Sequence, residues 1–347
     1  MEDDSFPPPL RVGIAYNLKK GVRAGAAEDT EAEYDSPDTV LAIRDVLQSA
    51  GFGVELLEAD DDFAEKVKKT GVNLVFNIAE GRNGRGREAQ VPAILNYLGV
   101  PFCGSDETTL GLALDKAMTK RYLTTYGVKT PAWQLVKSPD FQLDPALRFP
   151  LIVKPNSEGS GKGITDFAVA GSEPELRSVL EKNFRLYGEP MLLEEYIAGR
   201  EFTVGLLGNG EGLKVFEPME IIYLNGKPGQ GIYSYRVKSN YQKHVQYRCP
   251  AEVDGRTSQE MKETAALVFQ ALECRDFSRI DFRLSEDGTP YFIEINPLPG
   301  LAPGYSDYPM LAQFCGMDYR ELILEVLSSA MQRYGMLVSS QNRGDLL

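Results

Sequence analysis

Between Arg279 and Asn296 the chain reads Arg-Ile-Asp-Phe-Arg-Leu-Ser-Glu-Asp-Gly-Thr-Pro-Tyr-Phe-Ile-Glu-Ile-Asn, two apolar strands joined by a Gly-containing turn. Strand side chains alternate between faces, so Arg279, Asp281 and Arg283 share one face of the first strand, and Phe292, Glu294 and Asn296 share one face of the second. Asp281 and Glu294 are embedded among Ile280, Phe282, Phe292, Ile293 and Ile295, where unpaired carboxylates are costly. The pattern predicts a covered sheet on which three oxygen ligands, Asp281, Glu294 and Asn296, converge. Mg²⁺ takes oxygen donors and is usually held by one or two carboxylates plus substrate phosphates, so the trio suits a metal–nucleotide site better than a transition-metal site.

The first hundred residues follow a different rule. Leu10 to Tyr16 reads as a strand, Ser36-Pro-Asp starts a helix running to about Ala50, Gly53 to Leu57 is a second strand and Val72 to Ile78 a third, a parallel βαβ pattern. Tyr16 and Asn17 stand where a dinucleotide-binding turn needs glycines, which disfavours nicotinamide chemistry. A helix is expected from Asp106 to about Tyr126, closed by Gly127. From Phe149 onward strands, a glycine-rich turn and helices follow in an α+β order, and the final third adds strands near Lys214 to Tyr223, a helix from about Thr257 to Leu272 and closing helices after Ser306. A chain of 347 residues exceeds what one core serves, and three units are expected: 1–104, 105–187 and 188–347.

Composition removes several function classes. A formal net charge of -13 with only short basic clusters argues against a nucleic-acid partner. The acidic, proline-rich opening is unlike a signal peptide, and no apolar run is long enough to cross a bilayer, so a cytoplasmic location and no membrane partner are expected. Cys103, Cys249, Cys274 and Cys315 show no paired spacing and read as buried or incidental thiols. His244 is the only histidine, which excludes a His-rich metal site, and its polar surroundings read as loop.

Two further segments could carry chemistry. Lys154 ends an apolar strand before the loop from Asn156 to Gly163, where glycines and Ser160 let backbone N–H groups approach phosphate oxygens and Lys162 adds charge. Hairpins use the same residues, and the spacing is not that of a P-loop. Glu194-Glu-Tyr-Ile-Ala-Gly-Arg-Glu201 sets acids on either side of a bend, where carboxylates could accept from an adenine amino group and ribose hydroxyls while Ile197 packs on the base; an exposed charged turn has the same composition. Arg82, Arg85 and Arg87 read either as an exposed turn or as the source of one guanidinium that pairs with a substrate carboxylate.

In combination these motifs resemble the ATP-grasp superfamily and, within it, the D-alanine–D-alanine ligases. The resemblance runs from near Glu33 to Pro309, through Gln90 to Gly104, Leu114-Asp-Lys116, the Val-Lys-Pro strand with Glu158-Gly-Ser, the Glu-x-aromatic-Ile-x-Gly-x-Glu bend, Arg-Ile-Asp and Glu-Ile-Asn-x-x-Pro-Gly. It implies an α/β plus α+β fold: an N-terminal parallel βαβ (Rossmann-like) domain followed by a two-part ATP-grasp domain. It also implies that ATP is held by Lys116, Lys154, Glu158, Gly159, Ser160, Glu194, Tyr196, Ile197, Glu201 and Lys238. Two Mg²⁺ ions, a role Mn²⁺ can fill, would sit on Asp281, Glu294 and Asn296. Glu33 would hold the first substrate's ammonium, Ser160 would orient it, Arg279 and the Gly300 N–H would stabilise an oxyanion, and Glu80 and Ser306 would face the amino-acid substrates.

The implied activity joins two amino acids through an acyl phosphate, in the cytoplasm, as part of cell-wall peptidoglycan synthesis, in a homodimer by family analogy. The amino-acid half departs from the family pattern. Asn77-Ile-Ala-Glu80-Gly81 replaces His-Gly, Ser239 follows Lys238 where a tyrosine is usual, with Tyr235 and Tyr241 as nearby substitutes, and the run from Gly300 to Ser306 is one residue longer. A ligase for another acid and amine, and an ATP-binding regulatory protein, therefore remain as alternatives.

Overall fold

The computed structural model describes residues 10–21, 31–159, 168–224, 237 and 241–336. Three sheets organise them. The first is parallel, in the order β2 (Gly53–Glu58), β1 (Arg11–Tyr16), β3 (Leu74–Asn77). Helix α1 (Pro37–Ser49) is capped by Ser36, which accepts from the Thr39 N–H as the Ser-Pro-Asp start predicts. Its buried Val40, Ile43 and Leu47 share a core with Val12, Ile14, Leu74 and Phe76. The other face of the sheet is covered by α2 (Phe63–Thr70), which the sequence reading missed, and α3 (Gln90–Leu98), through Phe63, Val67, Val91 and Leu95. Helix α2 has one short apolar stripe between charged residues, too few turns for a clear period.

The single helix expected from Asp106 to Tyr126 is two helices, α4 (Glu107–Leu114) and α5 (Lys116–Thr124). Asp115 adopts an extended backbone, and its carboxylate caps α5 by accepting from the Met118 N–H. The break places Lys116 at the first position of α5, buried and lining the main cavity.

A four-stranded antiparallel sheet follows, in the order β4 (Trp133–Val136), β7 (Met191–Glu195), β5 (Leu151–Pro155), β6 (Val169–Ala170), backed by α6 (Glu173–Tyr187). The third sheet is antiparallel and has six strands: β11 (Val245–Arg248), β10 (Met219–Tyr223), β8 (Gly199–Leu207), β12 (Phe277–Ser285), β13 (Pro290–Asn296), with β9 (Lys214–Val215) paired to β8. A short helix, α7 (Tyr241–His244), precedes β11, so His244 ends a helical turn rather than lying in loop. One face of this sheet packs on α8 (Gly255–Ala271) through Met261, Ala265 and Phe269, and α9 (Asp307–Phe314) and α10 (Tyr319–Arg333) share the core of the parallel sheet.

Asp276 ties these parts together. It is fully buried and accepts from the Gly104 N–H at 2.7 Å, from Asn209 Nδ2 at 2.8 Å and from Arg333 Nη2 at 2.7 Å. Its φ is 67°, in the left-handed region that Asp and Asn tolerate better than other side chains. Arg333 also donates to the Phe102 carbonyl, so the end of the parallel sheet, the Asn209 turn and α10 meet at one carboxylate. Asp276→Ala leaves these donors unpaired and is expected to cost on the order of 3 kcal/mol. Asp276→Asn, which keeps an acceptor and tolerates the backbone, should cost clearly less; urea unfolding of both variants checks the order.

Candidate functional site

A cavity of about 590 Å³ opens between the two antiparallel sheets and the segments that follow β1 and β3. Its lining includes Lys116, Lys154, Glu194, Tyr196, Ile197, Glu201, Arg279, Asp281, Glu294, Asn296, Gly300 and Ser306, and at its other end Glu33, Asp35, Glu80, Glu88 and Gly159. Ser160, Lys162, Tyr235 and Lys238 lie outside the described residues.

The hairpin wall departs from simple alternation. Asp281 pairs with Glu294 and Arg279 with Asn296 across β12 and β13, yet the next pair is Phe282 with Phe292. Ile293 is thus an extra residue in β13, a β-bulge that reverses the strand's parity. Phe292 therefore leaves the face of Glu294 and Asn296, where the sequence reading put it, and packs in the α8 core, while Ile293 and Glu294 both line the cavity. Lys120 Nζ donates to the Ile293 carbonyl at 2.7 Å, satisfying the acceptor that the bulge turns aside.

The acids on this wall are held by cations. Arg279 Nε and Nη2 each lie 3.0 Å from Asp281, Nη1 is 3.3 Å from Asp307, and the Thr203 hydroxyl donates to Asp281 at 2.6 Å. Asp307, buried at the start of α9, also accepts from the Tyr247 hydroxyl at 2.9 Å, which aims Arg279 along the wall. Glu294 lies 3.6 Å from Lys116 Nζ. Burial pushes its carboxyl up, but Lys116, Lys154 and Arg279 outweigh that and hold it below the ordinary range, so it presents an ionised oxygen to the cavity.

Glu194 has Lys120 on one oxygen and Lys154 on the other, each at 2.7 Å, with all three side chains buried. Burial alone would raise its pKa; the two ammonium groups bring it down to about 2. The expected adenine acceptor is thus also the anchor that fixes Lys154. Glu201 accepts from the Tyr223 hydroxyl at 2.7 Å and from Arg283 Nη1 at 3.1 Å, and the Tyr196 hydroxyl accepts from Arg283 Nη2 at 3.1 Å. Gly199, with φ 144°, allows the bend between β7 and β8: a Cβ there would meet the Leu284 carbonyl oxygen at 1.9 Å.

At the opposite end, the arginine cluster divides. Arg82 pairs with exposed Asp61, and Arg85 lies mostly exposed 3.4 Å from Asp115. Arg87, by contrast, is buried: Nη2 lies 2.6 Å from both oxygens of Glu33 and 3.1 Å from Glu158, and Nη1 donates to the Ser157 carbonyl at 2.7 Å. The exposed-turn reading fails for Arg87, and Glu33, expected to hold a substrate ammonium, faces this guanidinium and the Gly159 N–H. Glu158 offers its carbonyl to Lys116 Nζ. Gly81, at φ 75°, lets the Glu80 loop close on the Arg87 carbonyl, 2.0 Å from where a Cβ would be. Ligand-capable oxygens of Glu33, Glu80 and Glu88 lie within 4.8 Å of one another, a grouping that could hold a cation. Glu88 was not among the residues singled out from sequence; only its place two residues before Gln90 hinted at it.

Gly300 and Ser306 line the cavity, and the Ser306 hydroxyl accepts from the Ala302 N–H at 3.2 Å. Tyr241 donates to the Gly304 carbonyl at 2.7 Å, and its ring lies against Tyr247 and Tyr305. Cys103 and Cys274 are buried as expected, whereas Cys249 and Cys315 lie 3.8 Å apart, both free. Among the described residues no helix is long and apolar enough to cross a membrane.

The family model described as D-ala D-ala ligase C-terminus matches residues 122–328. The chain belongs to the D-alanine–D-alanine ligase family of the ATP-grasp superfamily. Over 290 residues it is 33% identical to the D-alanine–D-alanine ligase of Bordetella petrii, spanning 83% of this chain and 85% of that one. It is also 33% identical over 261 residues to an uncharacterized protein, y4sG, of Sinorhizobium fredii, with 75% of each covered. A crystal structure of the Bacillus anthracis D-alanine–D-alanine ligase complexed with ATP has the same fold, with a TM-score of 0.73 and 22% identity over 94% of this chain and 98% of that one. The VanG D-Ala:D-Ser ligase of Enterococcus faecalis gives 0.72 and 21% over 93% and 99%.

Burial, then the nearby charge of Glu33, raises the Glu88 carboxyl from an ordinary 4.5 to about 8. Between these two values the folded chain keeps a proton that the unfolded chain has lost, so stability falls as pH rises through that window. Glu88→Gln, which cannot ionise, should therefore raise the melting temperature relative to the parent chain more at pH 9 than at pH 6, as read by thermal denaturation in matched buffers.

Proposed function

We propose that the chain is an ATP-dependent carboxylate–amine ligase that forms a dipeptide through an acyl phosphate, releasing ADP and phosphate, as a D-alanine–D-alanine ligase or a close relative of one. The observation that carries this reading is that Lys116, Lys154, Asp281, Glu294, Asn296, Arg279 and Gly300 line one and the same cavity. Family membership supports it, as does the fold shared with a Bacillus anthracis ligase crystallised in complex with ATP.

A carboxylate is a poor electrophile, and transfer of the γ-phosphoryl group to one of its oxygens gives it a leaving group. Lys116 and Lys154, held in place by Glu158, Glu194 and Glu294, would neutralise charge on the phosphates. Asp281, Glu294 and Asn296 form an all-oxygen donor set on paired strands, with Glu294 ionised, which fits Mg²⁺. When bound, Mg²⁺ would offset the negative charge that builds on the phosphoryl oxygens. Glu201 and Tyr196, at the bend, suit ribose and base, with Ile197 beside them. The amine then attacks the acyl carbon, Arg279 and the Gly300 N–H donate toward the resulting oxyanion, and phosphate leaves with the former carboxylate oxygen.

A ligase for an acid other than D-alanine is favoured by one observation: Arg87 occupies Glu33 at the amino-acid end of the cavity. The chain should release phosphate from Mg²⁺–ATP only when amino acids are supplied. Mass spectrometry of the product then separates the two substrates: a D-alanyl-D-alanine mass supports the first, a different dipeptide mass the second, and amino-acid-independent release would contradict both. Asp307→Asn, which loosens the support of Arg279, should lower kcat by roughly tenfold to a hundredfold with little change in the KM for ATP, because only the oxyanion contact is displaced.

A further inference from the structure

The acidic end of the cavity holds a carboxylate that has no partner among the described residues. Glu88 is only 8% exposed, lines the cavity, and makes no hydrogen bond or ion pair among the described residues. Such a group is expensive to bury without a partner, and its oxygens are open to whatever enters. Glu80, on the loop closed by Gly81, also lines the cavity without a hydrogen bond or ion pair among the described residues, and an oxygen of each lies within 4.8 Å of the other and of Glu33.

Glu33 itself is committed. Both of its oxygens face Arg87 Nη2 at 2.6 Å, and one also accepts from the Gly159 N–H at 2.7 Å. Its charge is matched by a guanidinium that the Ser157 carbonyl and Glu158 hold from the other side. A positively charged substrate group arriving here would meet Arg87 behind Glu33, but two uncompensated acids at Glu80 and Glu88.

We infer that Glu80 and Glu88 form the subsite for the primary ammonium group of the amino-acid substrate at this end of the cavity, in the role that Arg87 takes away from Glu33. The inference rests on the ligase reading for the identity of the occupant as an amino acid. An ammonium with N–H···O contacts of about 2.8 Å sets its acceptors about 4.6 Å apart, within the span of these oxygens. It carries one charge and three donors, enough to bridge the two acids. Without that ligand Glu88, raised to about 8 by burial and then Glu33, keeps its proton near neutral pH, and burial, then Glu88 and Glu33, raise Glu80 as well, against the lowering effect of Arg87 on both and of Lys116 on Glu88, with Asp35 adding to the negative field at Glu80 and Glu158 at Glu88. An ammonium brought between them replaces a proton, so binding near neutral pH releases protons to solvent.

The test is calorimetric titration of the full chain, loaded with Mg²⁺–ADP, with a panel of D- and L-amino acids and their N-acetyl forms, in two buffers of different ionisation enthalpy at pH 7. The amino acid that binds best should release about one proton per site, and its N-acetyl form should not bind. Glu88→Gln and Glu80→Gln should each weaken its binding tenfold or more and reduce the proton release, while leaving Mg²⁺–ADP affinity as it was. A merely structural Glu88 would not alter proton release. The inference is overturned if no member of the panel binds, if the variants bind the amino acid unchanged, if the N-acetyl form binds equally well, or if titration with Mg²⁺ or Ca²⁺ alone fills the cluster and amino-acid binding is insensitive to Glu88→Gln. Ammonium-dependent binding without phosphate release from ATP would leave this subsite standing and remove the ligase reading; phosphate release with unaltered variants would do the reverse.

Discussion

The cavity depends on a buried charge arrangement that joins two sheets. Glu194 on β7 sits between Lys154 on β5 and Lys120 on α5, and Lys120 reaches on to the Ile293 carbonyl in the bulge of β13. One carboxylate thus fixes a lysine of the smaller antiparallel sheet and, through α5, the bulged strand of the larger one. A buried ion pair contributes little net stability against apolar residues of the same size, but removing one member leaves a bare charge in a dry interior. What the arrangement supplies is position: it keeps Lys154 extended into the space between the sheets and holds the bulge that turns Glu294 toward the same space.

The second wall follows the same logic. Arg279, Asp281 and Asp307 form a chain of charge-assisted contacts, and Tyr247 reaches Asp307 from β11. Strand β12 with Asp281, helix α9 with Asp307 and the sheet edge with Tyr247 are therefore coupled electrostatically. Acids that would otherwise repel each other across the β12–β13 register are tolerated because cations from α5, β5 and β12 itself are interleaved with them.

Much of the frame was legible in the sequence because its signals are local. Ser36-Pro-Asp predicts α1, and the turn near Glu286 predicts the β12–β13 hairpin. The acids among apolar residues at Asp281 and Glu294 mark the cavity wall correctly. Three features were not legible. Strict alternation cannot reveal the extra residue at Ile293, since a bulge depends on Lys120, more than 170 residues away, satisfying its carbonyl. The split at Asp115 is a capping choice inside an otherwise continuous helical pattern. The burial of Arg87 depends on Glu33 and Glu158, and three arginines in a row of glycines look alike until the chain brings those acids to one of them. The residues expected to meet the nucleotide are spread over several elements, with Lys154, Glu194 and Glu201 on strands, Lys116 on α5 and Tyr196 and Ile197 between β7 and β8, whereas Glu33 and Glu80 lie in loops.

The proposed ligase activates its carboxylate by phosphorylating it. The most direct measurement supplies the reacting amino acid with both carboxylate oxygens labelled as ¹⁸O, with Mg²⁺–ATP and the acceptor amine, and reads the phosphate by mass spectrometry. One labelled oxygen in each phosphate released is the predicted result, because the phosphoryl group must depart with the oxygen it took. Unlabelled phosphate, or label found only in AMP, would contradict the claim.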